Sequence, residues 1–415
     1  MTVSEDLQWR NLIKDKTFED VSWLDTPKTF YLGVDCSSSD SMTIGNLAVF
    51  MTAKRLLDAG WKTVLLAGGA TSLIGDPGGK NEERPLKSRE EIEHNVAGIK
   101  TQVQQLFEGK DFTLVDNYDW FKDVMYLEFL RDVGKHFSMT ELVQRDFIAE
   151  RMGEGGGGIS YAEFSYTLIQ GYDFWHLHTN YDVVLQIGGS DQWGNMLSGI
   201  PLIRKKSGTE AHAFSMPLVI NKATGAKFGK SEAGAVWLDP EKTSPTQFYQ
   251  FWLNVDDEGV EDYLKVYTEL GKPEVEDIIA QHTAAPEKRH AQRRLAQEVT
   301  TIVHGKETCQ LASDVTEYIT GSKDVKEASD TQLSAVRREL ASATLSLEAT
   351  VIDGLTDSGL ASSRTEARRL LEGGSVYVNG EQITDNEFSH VLKENGRLLL
   401  RKGKTLKNTA LIEFS

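Results

Sequence analysis

Tyr31-Leu32-Gly33-Val34-Asp35 is followed by a serine-rich loop and then by Thr43-Ile44-Gly45-Asn46. The first five residues lie in a short apolar run, 29–34 with its exit, that reads as a buried strand. The last four open an apolar, helix-spaced segment, 44–59, which stops at Gly60. A glycine where a helix begins lets a ligand approach the backbone, and the free N–H groups and dipole there favour phosphate. An ordinary tight turn would use the same residues.

Working outward, residues 63–67 read as a second strand that runs into a turn-rich stretch, 68–80. An amphipathic helix is expected over 88–107, a strand over 112–115, helices around 126–137 and 163–178, and a strand over 183–187 feeding a helix that starts near Ser190. Strands alternating with helices imply an α/β unit, a mainly parallel sheet with helices on both faces. Such sheets bind ligands at the carboxyl ends of their strands. Beyond Ser244 the strand signals fade, and residues 246–320 read as mostly helical. Residues 322–347, rich in Ser, Ala, Asp and Lys, read as a linker or loosely packed segment. Dense patterning returns over 351–415, with a helix around 365–372, a strand over 375–378 and an Asn379-Gly380 turn. Residues 153–158 read as a flexible glycine loop.

A chain of 415 residues, 40% hydrophobic and 26% charged, has material for two or three domains. No apolar run reaches the roughly 18 residues of a membrane span, and the acidic N-terminus lacks the pattern of a signal peptide. With only Cys36 and Cys309, neither a disulfide framework nor a thiolate metal site is expected, which points to a reducing cytoplasm. The net charge of −17 argues against broad nucleic-acid binding by the chain as a whole. Residues 351–415, however, hold nine Lys+Arg and nine Asp+Glu, a neutral tail on an acidic body.

Three further stretches bear chemistry. Gly68-Gly69-Ala70-Thr71 through Gly75-Asp76-Pro77-Gly78-Gly79-Lys80, with Arg84 beyond, suits a phosphate-rich ligand beside an amine, or an ordinary surface loop. Tyr166, Gln170 and Asp173, at spacings of four and three, share one face of a buried helix. A phenol, an amide and a carboxylate there need partners, from a small zwitterionic ligand or from the core itself. Lys227-Phe228-Gly229-Lys230-Ser231 puts two lysines on a glycine-bearing loop, able to fold over phosphates or simply to be solvated.

In this order the segments resemble the class I aminoacyl-tRNA synthetases, and within them the bacterial-type tyrosyl enzymes. Thr43-Ile44-Gly45-Asn46 stands at the family's H-I-G-H signature and Lys227-Phe228-Gly229-Lys230-Ser231 at its K-M-S-K-S signature. Gly68 to Pro77 is similar to its ATP and amino-acid loop. Leu185-Gln186-Ile187-Gly188-Gly189-Ser190-Asp191-Gln192-Trp193-Gly194-Asn195 is similar to its ribose and carboxylate loop, and Gly234 to Pro240 is also family-like. Ser363-Arg364-Thr365-Glu366-Ala367-Arg368-Arg369, with Gly373 to Gly380, resembles a small RNA-binding domain shared with a ribosomal small-subunit protein. The resemblance implies a Rossmann-like catalytic domain over 1–243 with a dimer-interface insertion near 120–150. A helical domain over 244–321, a linker over 322–350 and an α+β RNA-binding domain over 351–415 follow.

It also implies roles. Tyr31 and Asp173 would read a tyrosine hydroxyl, Tyr166, Gln170 and Asp76 its ammonium, and Gln192 its carboxylate side. Gly33, Asp35, Gly45, Asn46, Gly189 and Asp191 would line the nucleotide. Lys80, Arg84, Lys227 and Lys230, with Ser231 and Thr43, would act on the phosphates. ATP is the expected substrate, with Mg²⁺ accompanying it and no protein-bound metal. L-tyrosine, tRNA(Tyr) and a second copy of the chain are the expected partners, and no membrane. Arg364, Arg368 and Arg369 would meet RNA phosphates. The departures are Thr43 in place of the first histidine, a loop from Asp35 to Thr43 one residue longer than usual, and Cys36 where proline is common. They leave open a weakened relative that binds tyrosine or RNA in a regulatory role. A tryptophan enzyme is disfavoured by the Tyr31–Asp173 pair, and a pure RNA-binding scaffold leaves that pair unexplained.

Overall fold

The computed structural model describes residues 1–415 except 77–85, 145, 154–156, 223, 227, 232–233, 395 and 404, and only the backbone of 146, 147, 150, 230, 231 and 391. Lys80, Arg84 and Lys227 therefore lie outside the described residues, as do the side chains of Lys230 and Ser231. Two compact units are present, Met1–Thr243 with Val255–Leu295, and Ser244–Asn254 with Ala296–Ser415. Residues 244–321, expected as one helical domain, contribute to both units.

The first unit is built on six strands, β1 Asp15–Lys16, β2 Thr29–Asp35, β3 Lys62–Gly68, β4 Thr113–Asp116, β5 Val183–Gly189 and β6 His212–Met216. Their order is β1-β6-β5-β2-β3-β4, and all pairs are parallel except β1 with β6. Strands β3 and β4 extend the sheet to one side of β2, and β5 and β6 to the other. The strand order thus reverses between β2 and β5, and a crevice opens at their carboxyl ends. Strand β2 is buried along Thr29–Leu32 and becomes exposed at Gly33 and Asp35, at the crevice. A short hairpin, β7 Lys230–Ser231 with β8 Gly234–Ala235, belongs to the same unit.

The helices follow from spacing and caps. Helix Ile44–Asp58 buries Ile44, Leu47, Met51 and other apolar residues. Helix Arg89–Leu106 starts at Ser88, whose side chain accepts the Glu91 N–H, and buries Ile92, Val96, Ile99 and Val103, a single stripe at helical spacing. Helix Tyr161–Tyr181 opens with a Ser160–Glu163 capping box and ends at Asp182 in the left-handed region. It presses Phe174 and Leu177 onto Tyr31, Val64 and Leu66 of the sheet.

Several expectations are corrected. Residues 69–74, read as turn, form helix Gly69–Ile74, whose Ala70 N–H is satisfied by Asn117 Oδ1 at 2.7 Å. That partner is distant in sequence, so local signals pointed to a loop. The helix expected over 126–137 stops at Asp132 and gives way to a 3₁₀ turn, Gly134–His136. The helix expected from Ser190 is two short turns, Ser190–Gln192 and Trp193–Met196. Strands β1 and β6 and the N-terminal helix Val3–Trp9 were not anticipated.

The second unit carries helices Pro245–Leu253, Lys306–Thr320, Val351–Asp357 and Arg364–Glu372, and a five-stranded sheet. Its strands are β9 Ala341–Leu345, β10 Val376–Val378, β11 Glu381–Ile383, β12 Arg397–Lys402 and β13 Thr409–Phe414, in the order β11-β10-β12-β13-β9. Asn379 and Gly380 join β10 to β11 with φ of 48° and 89°, as a tight hairpin turn requires. Residues 322–347, expected as a linker, instead hold helix Asp330–Glu339 and strand β9, which pairs in parallel with β13. Leu333 and Val336 are the helix's only buried residues, and they pack on Leu399 and Leu411. So thin an apolar face is easily lost in a polar composition. No described helix is long and apolar enough to cross a membrane.

One position tests the packing beneath the crevice. A Cβ on Gly199, in helix Gly199–Ser207, would lie 2.6 Å from Phe174 Cβ. Gly199→Ala is expected to destabilise the first unit by about 1–3 kcal/mol through overpacking, read as a lower urea midpoint.

Candidate active site

The site is assembled at the carboxyl ends of β2, β4 and β5. Tyr31 on β2 is 2% exposed, and its hydroxyl has no hydrogen-bond partner among the described residues. Its ring lies 5.2 Å from that of Phe174. Burial, and then the charge of Asp173, push the Tyr31 phenol well above its ordinary value. Asp173, on the neighbouring helix, is 2% exposed and accepts two hydrogen bonds, from Asn117 Nδ2 at 3.0 Å and Trp120 Nε1 at 3.0 Å. Burial raises its carboxyl to about 7 against these two donors, which pull the other way. The structure thus puts a buried phenol beside a buried carboxyl, and among the described residues the phenol hydroxyl lacks a partner.

Asn117 and Trp120 were not singled out in the sequence. Asn117 is fully buried and spans three groups. Its Nδ2 reaches Asp173 and Thr71 Oγ1, at 3.2 Å, and its Oδ1 accepts the Ala70 N–H. The signal available was their place just after β4, at the same sheet edge as the other ligand-facing ends.

A second polar group lies beside the slot. Asp76 accepts Gln192 Nε2 at 2.6 Å and Asn195 Nδ2 at 3.4 Å. Asn195 Oδ1 in turn accepts Thr167 Oγ1 at 3.0 Å, which ties this cluster to the helix carrying Tyr166, Gln170 and Asp173. Tyr166 is buried and Gln170 half-buried. A carboxylate and two amides beside a buried slot can hold a small charged ligand by both ends.

The two signature stretches meet. Thr43 is the N-cap of helix Ile44–Asp58, and Asn46 Oδ1 accepts both its N–H, at 2.9 Å, and its hydroxyl, at 3.0 Å. The Ile44 N–H is taken by Val236 O at 3.1 Å, and the Val236 N–H by Gly229 O at 3.0 Å. Gly229 has φ of +106°, and a Cβ there would stand 3.1 Å from Ile44 Cγ1 and 3.7 Å from Gly45 N. The loop after Asn221 therefore crosses directly over the first-signature helix end. Phe228 anchors it by stacking on Tyr263 at 4.2 Å between ring centres. At the exit of β2, Asp35 accepts from Ser37 N and Oγ, at 2.9 and 2.6 Å, and from Ser72 Oγ at 3.0 Å. Gly189 closes β5, and Asp191 just beyond is exposed. The Cys36 thiol is buried and pushed up to about 12, so it is no nucleophile.

In the second unit Arg364, Arg368 and Arg369 are exposed on helix Arg364–Glu372, and Arg364 pairs with Asp353 at 2.5 Å.

The fold and this crevice define a nucleotide-binding α/β enzyme of the synthetase type, and comparison places it more closely. Residues 25–320 match the family of tRNA synthetases class I (W and Y), and residues 332–410 match the tyrosine–tRNA ligase SYY-like C-terminal domain. Tyrosine–tRNA ligase 2 of Bacillus cereus (strain ATCC 10987 / NRS 248) is 42% identical over 427 aligned positions, covering 100% of both chains. The tyrosine–tRNA ligase of Limosilactobacillus fermentum is 42% identical, over 97% of this chain and 98% of that one. The solved C-terminally truncated mitochondrial tyrosyl-tRNA synthetase of Aspergillus nidulans superposes with a TM-score of 0.69 at 30% identity, over 77% of this chain and 94% of that one. The chain belongs to the class I tRNA synthetase family.

Asp173 makes stability depend on pH in a stated direction. Its carboxyl titrates at about 7 when folded against an ordinary value of 3.8, so between these the folded chain keeps a proton that the unfolded chain has released. The stability this group contributes is complete below the lower value and is lost as pH rises through the higher one. Asp173→Asn keeps the side chain neutral. The unfolding free energy of the parent, from urea titrations, should fall relative to that of the variant from about pH 4 to about pH 7, by at most about 1.4 kcal/mol per pH unit. A constant gap would contradict the shift.

Proposed function

We propose that this chain is a tyrosine–tRNA ligase. It joins L-tyrosine to ATP as tyrosyl-adenylate and passes the tyrosyl group to the 3′ end of tRNA(Tyr). One observation carries the choice of amino acid, the buried Tyr31 hydroxyl beside the Asp173 carboxyl, without a hydrogen-bond partner among the described residues. A ligand hydroxyl entering there can accept from Tyr31 and donate to Asp173. A phenylalanine ring would leave the first group buried and unsatisfied. An indole offers no hydroxyl, which disfavours tryptophan.

Tyr166, Gln170 and Asp76 hold the substrate ammonium, and Gln192, already on Asp76, faces its carboxylate side. That carboxylate attacks the α-phosphorus of ATP, and the bond to pyrophosphate breaks. No protein nucleophile is required, so the chain's work is alignment and charge stabilisation. Gly45 and Asn46 present the helix end to phosphate. Gly33, Asp35, Gly189 and Asp191 line the nucleotide. Lys80, Arg84, Lys227, Lys230 and Ser231 act on the departing pyrophosphate by family likeness. Mg²⁺ is part of the substrate, carried on the ATP phosphates. Thr43 takes the place of the first histidine as a helix cap. The regulatory alternative gains no support from the relatives, which carry the ligase name over the whole length of the chain.

Arg364, Arg368 and Arg369 offer charge to RNA phosphates. The partner at 120–150 is a second copy of the chain. Support comes from large apolar residues left open between Met125 and Tyr161, among them Leu127 at 76% exposed and Tyr161 at 61%. The cytoplasm, where the tRNA is, is the setting.

The deciding experiment is ATP–pyrophosphate exchange on purified protein with tyrosine, and with phenylalanine as control. Tyr31→Phe should leave thermal stability unchanged or higher, since it removes an unsatisfied group, and raise the tyrosine KM roughly two- to tenfold, one lost hydrogen bond. An unchanged KM would remove Tyr31 from the substrate. Leu127→Asp with Tyr161→Asp should turn a dimer into a monomer in light scattering, and a parent that is already monomeric would refute the interface.

A further inference from the structure

The loop from Asp35 to Thr43 is gripped from two sides. Helix Arg89–Leu106 forms one side. Its Asn95 Nδ2 donates to Cys36 O at 2.9 Å, Gln102 Oε1 accepts the Met42 N–H at 2.8 Å, and Gln102 Nε2 donates to Ser41 Oγ at 2.9 Å. Between them, Gly98 lets the Asp40 backbone come so close that a Cβ would lie 2.2 Å from Asp40 O. The other side is the stretch that follows the second signature. There backbone bonds run from Leu238 N to Met42 O at 2.9 Å and from Ile44 N to Val236 O.

Those backbone bonds hold only the inner end of the loop, residues 42–44. Its outer half reaches the second-signature side through side chains. Lys242 Nζ donates to the Asp40 carboxylate and, at 2.8 Å, to Ser39 Oγ. The Lys242 ammonium also sits 5.2 Å from the centre of the Trp237 ring, which orients it. His94 Nε2 meets the other Asp40 oxygen at 3.2 Å. The ammonium holds the Asp40 carboxyl down to about 2, so the carboxylate is charged at neutral pH.

We propose that Asp40 and Lys242 are positioning residues for adenylate formation, clamping the serine-rich loop to the segment behind the second signature so that both signature stretches meet the triphosphate in one spacing. The clamp rests on the ligase reading above. It compensates for a loop one residue longer than usual, whose outer half is otherwise tethered to helix Arg89–Leu106 and, by the longer contact of the Asp239 N–H to Ser41 Oγ at 3.3 Å, to the segment behind the second signature. An ion pair this exposed contributes little to global stability. Its effect on a reaction that depends on alignment can be much larger. That contrast makes the proposal testable.

Asp40→Asn, Lys242→Met and the double variant are compared with the parent by exchange kinetics, equilibrium binding of labelled tyrosine, and thermal unfolding. Each single variant should lose roughly tenfold or more in kcat/KM for ATP, with tyrosine binding and the unfolding midpoint unchanged. The double variant should fall no further than the worse single one, and Lys242→Arg should restore most of the loss. Exchange unaffected in both single variants, or losses shared equally between ATP and tyrosine, would overturn the clamp while leaving the ligase reading intact. A parent without tyrosine-dependent exchange would remove both.

Discussion

A carboxyl group buried without a cation is the constraint around which the first unit is arranged. Among the described residues Asp173 has no arginine or lysine to balance it, only the amide of Asn117 and the indole of Trp120. Two neutral donors do not offset the loss of water, and the group is left near neutrality in its titration. Folding tolerates this because the donors are themselves locked. Asn117 is held by the helix Gly69–Ile74 and by Thr71, and the carboxyl rides on a long helix whose Phe174 and Leu177 are embedded in the sheet. The result is a polar point in an apolar wall, with the Tyr31 hydroxyl opposite. An apolar core would be more stable, and its persistence fits a surface made for a ligand.

The end of the crevice where the two signature stretches meet is organised differently. There the backbone does most of the holding. Gly229, Val236 and Ile44 are linked by consecutive main-chain bonds, so two stretches nearly two hundred residues apart in the chain share one geometry. Thr43 closes on Asn46 rather than standing open. A residue that looks like a loss when compared with a histidine signature is, in place, a helix cap. The chain retains the helix end and its dipole while giving up one imidazole.

Much of this was legible in the residues. Strands β2, β3 and β5 and the helices after Thr43 and Ser88 could be placed because apolar runs, stripes at helical spacing and caps coincide in them. The pairing of Tyr31 with Asp173 followed from family likeness, and spacing alone would not have joined them; the bond between Asp76 and Gln192 was not anticipated. What could not be read depends on partners far along the chain. Asn117 and Trp120 stand 56 and 53 residues before Asp173, and nothing local marks them as its donors. Helix Gly69–Ile74 has a glycine at its cap and is completed by a side chain from the turn after β4. Strand β6, His-Ala-Phe-Ser-Met, has no alternation of its own and exists because β5 offers it an edge.

The parallel pairing of β9 with β13 bears on how the second unit can be divided. A fragment begun at residue 351, where the dense patterning resumes, would leave out β9 and the helix before it. Strand β13 would then present a bare row of amides and carbonyls, and Leu399 and Leu411 would lose the cover of Leu333 and Val336. Such an edge is a template for pairing with other chains. The smallest piece of this tail that can stay monomeric therefore begins ahead of the Asp330–Glu339 helix, in a stretch whose composition looks dispensable.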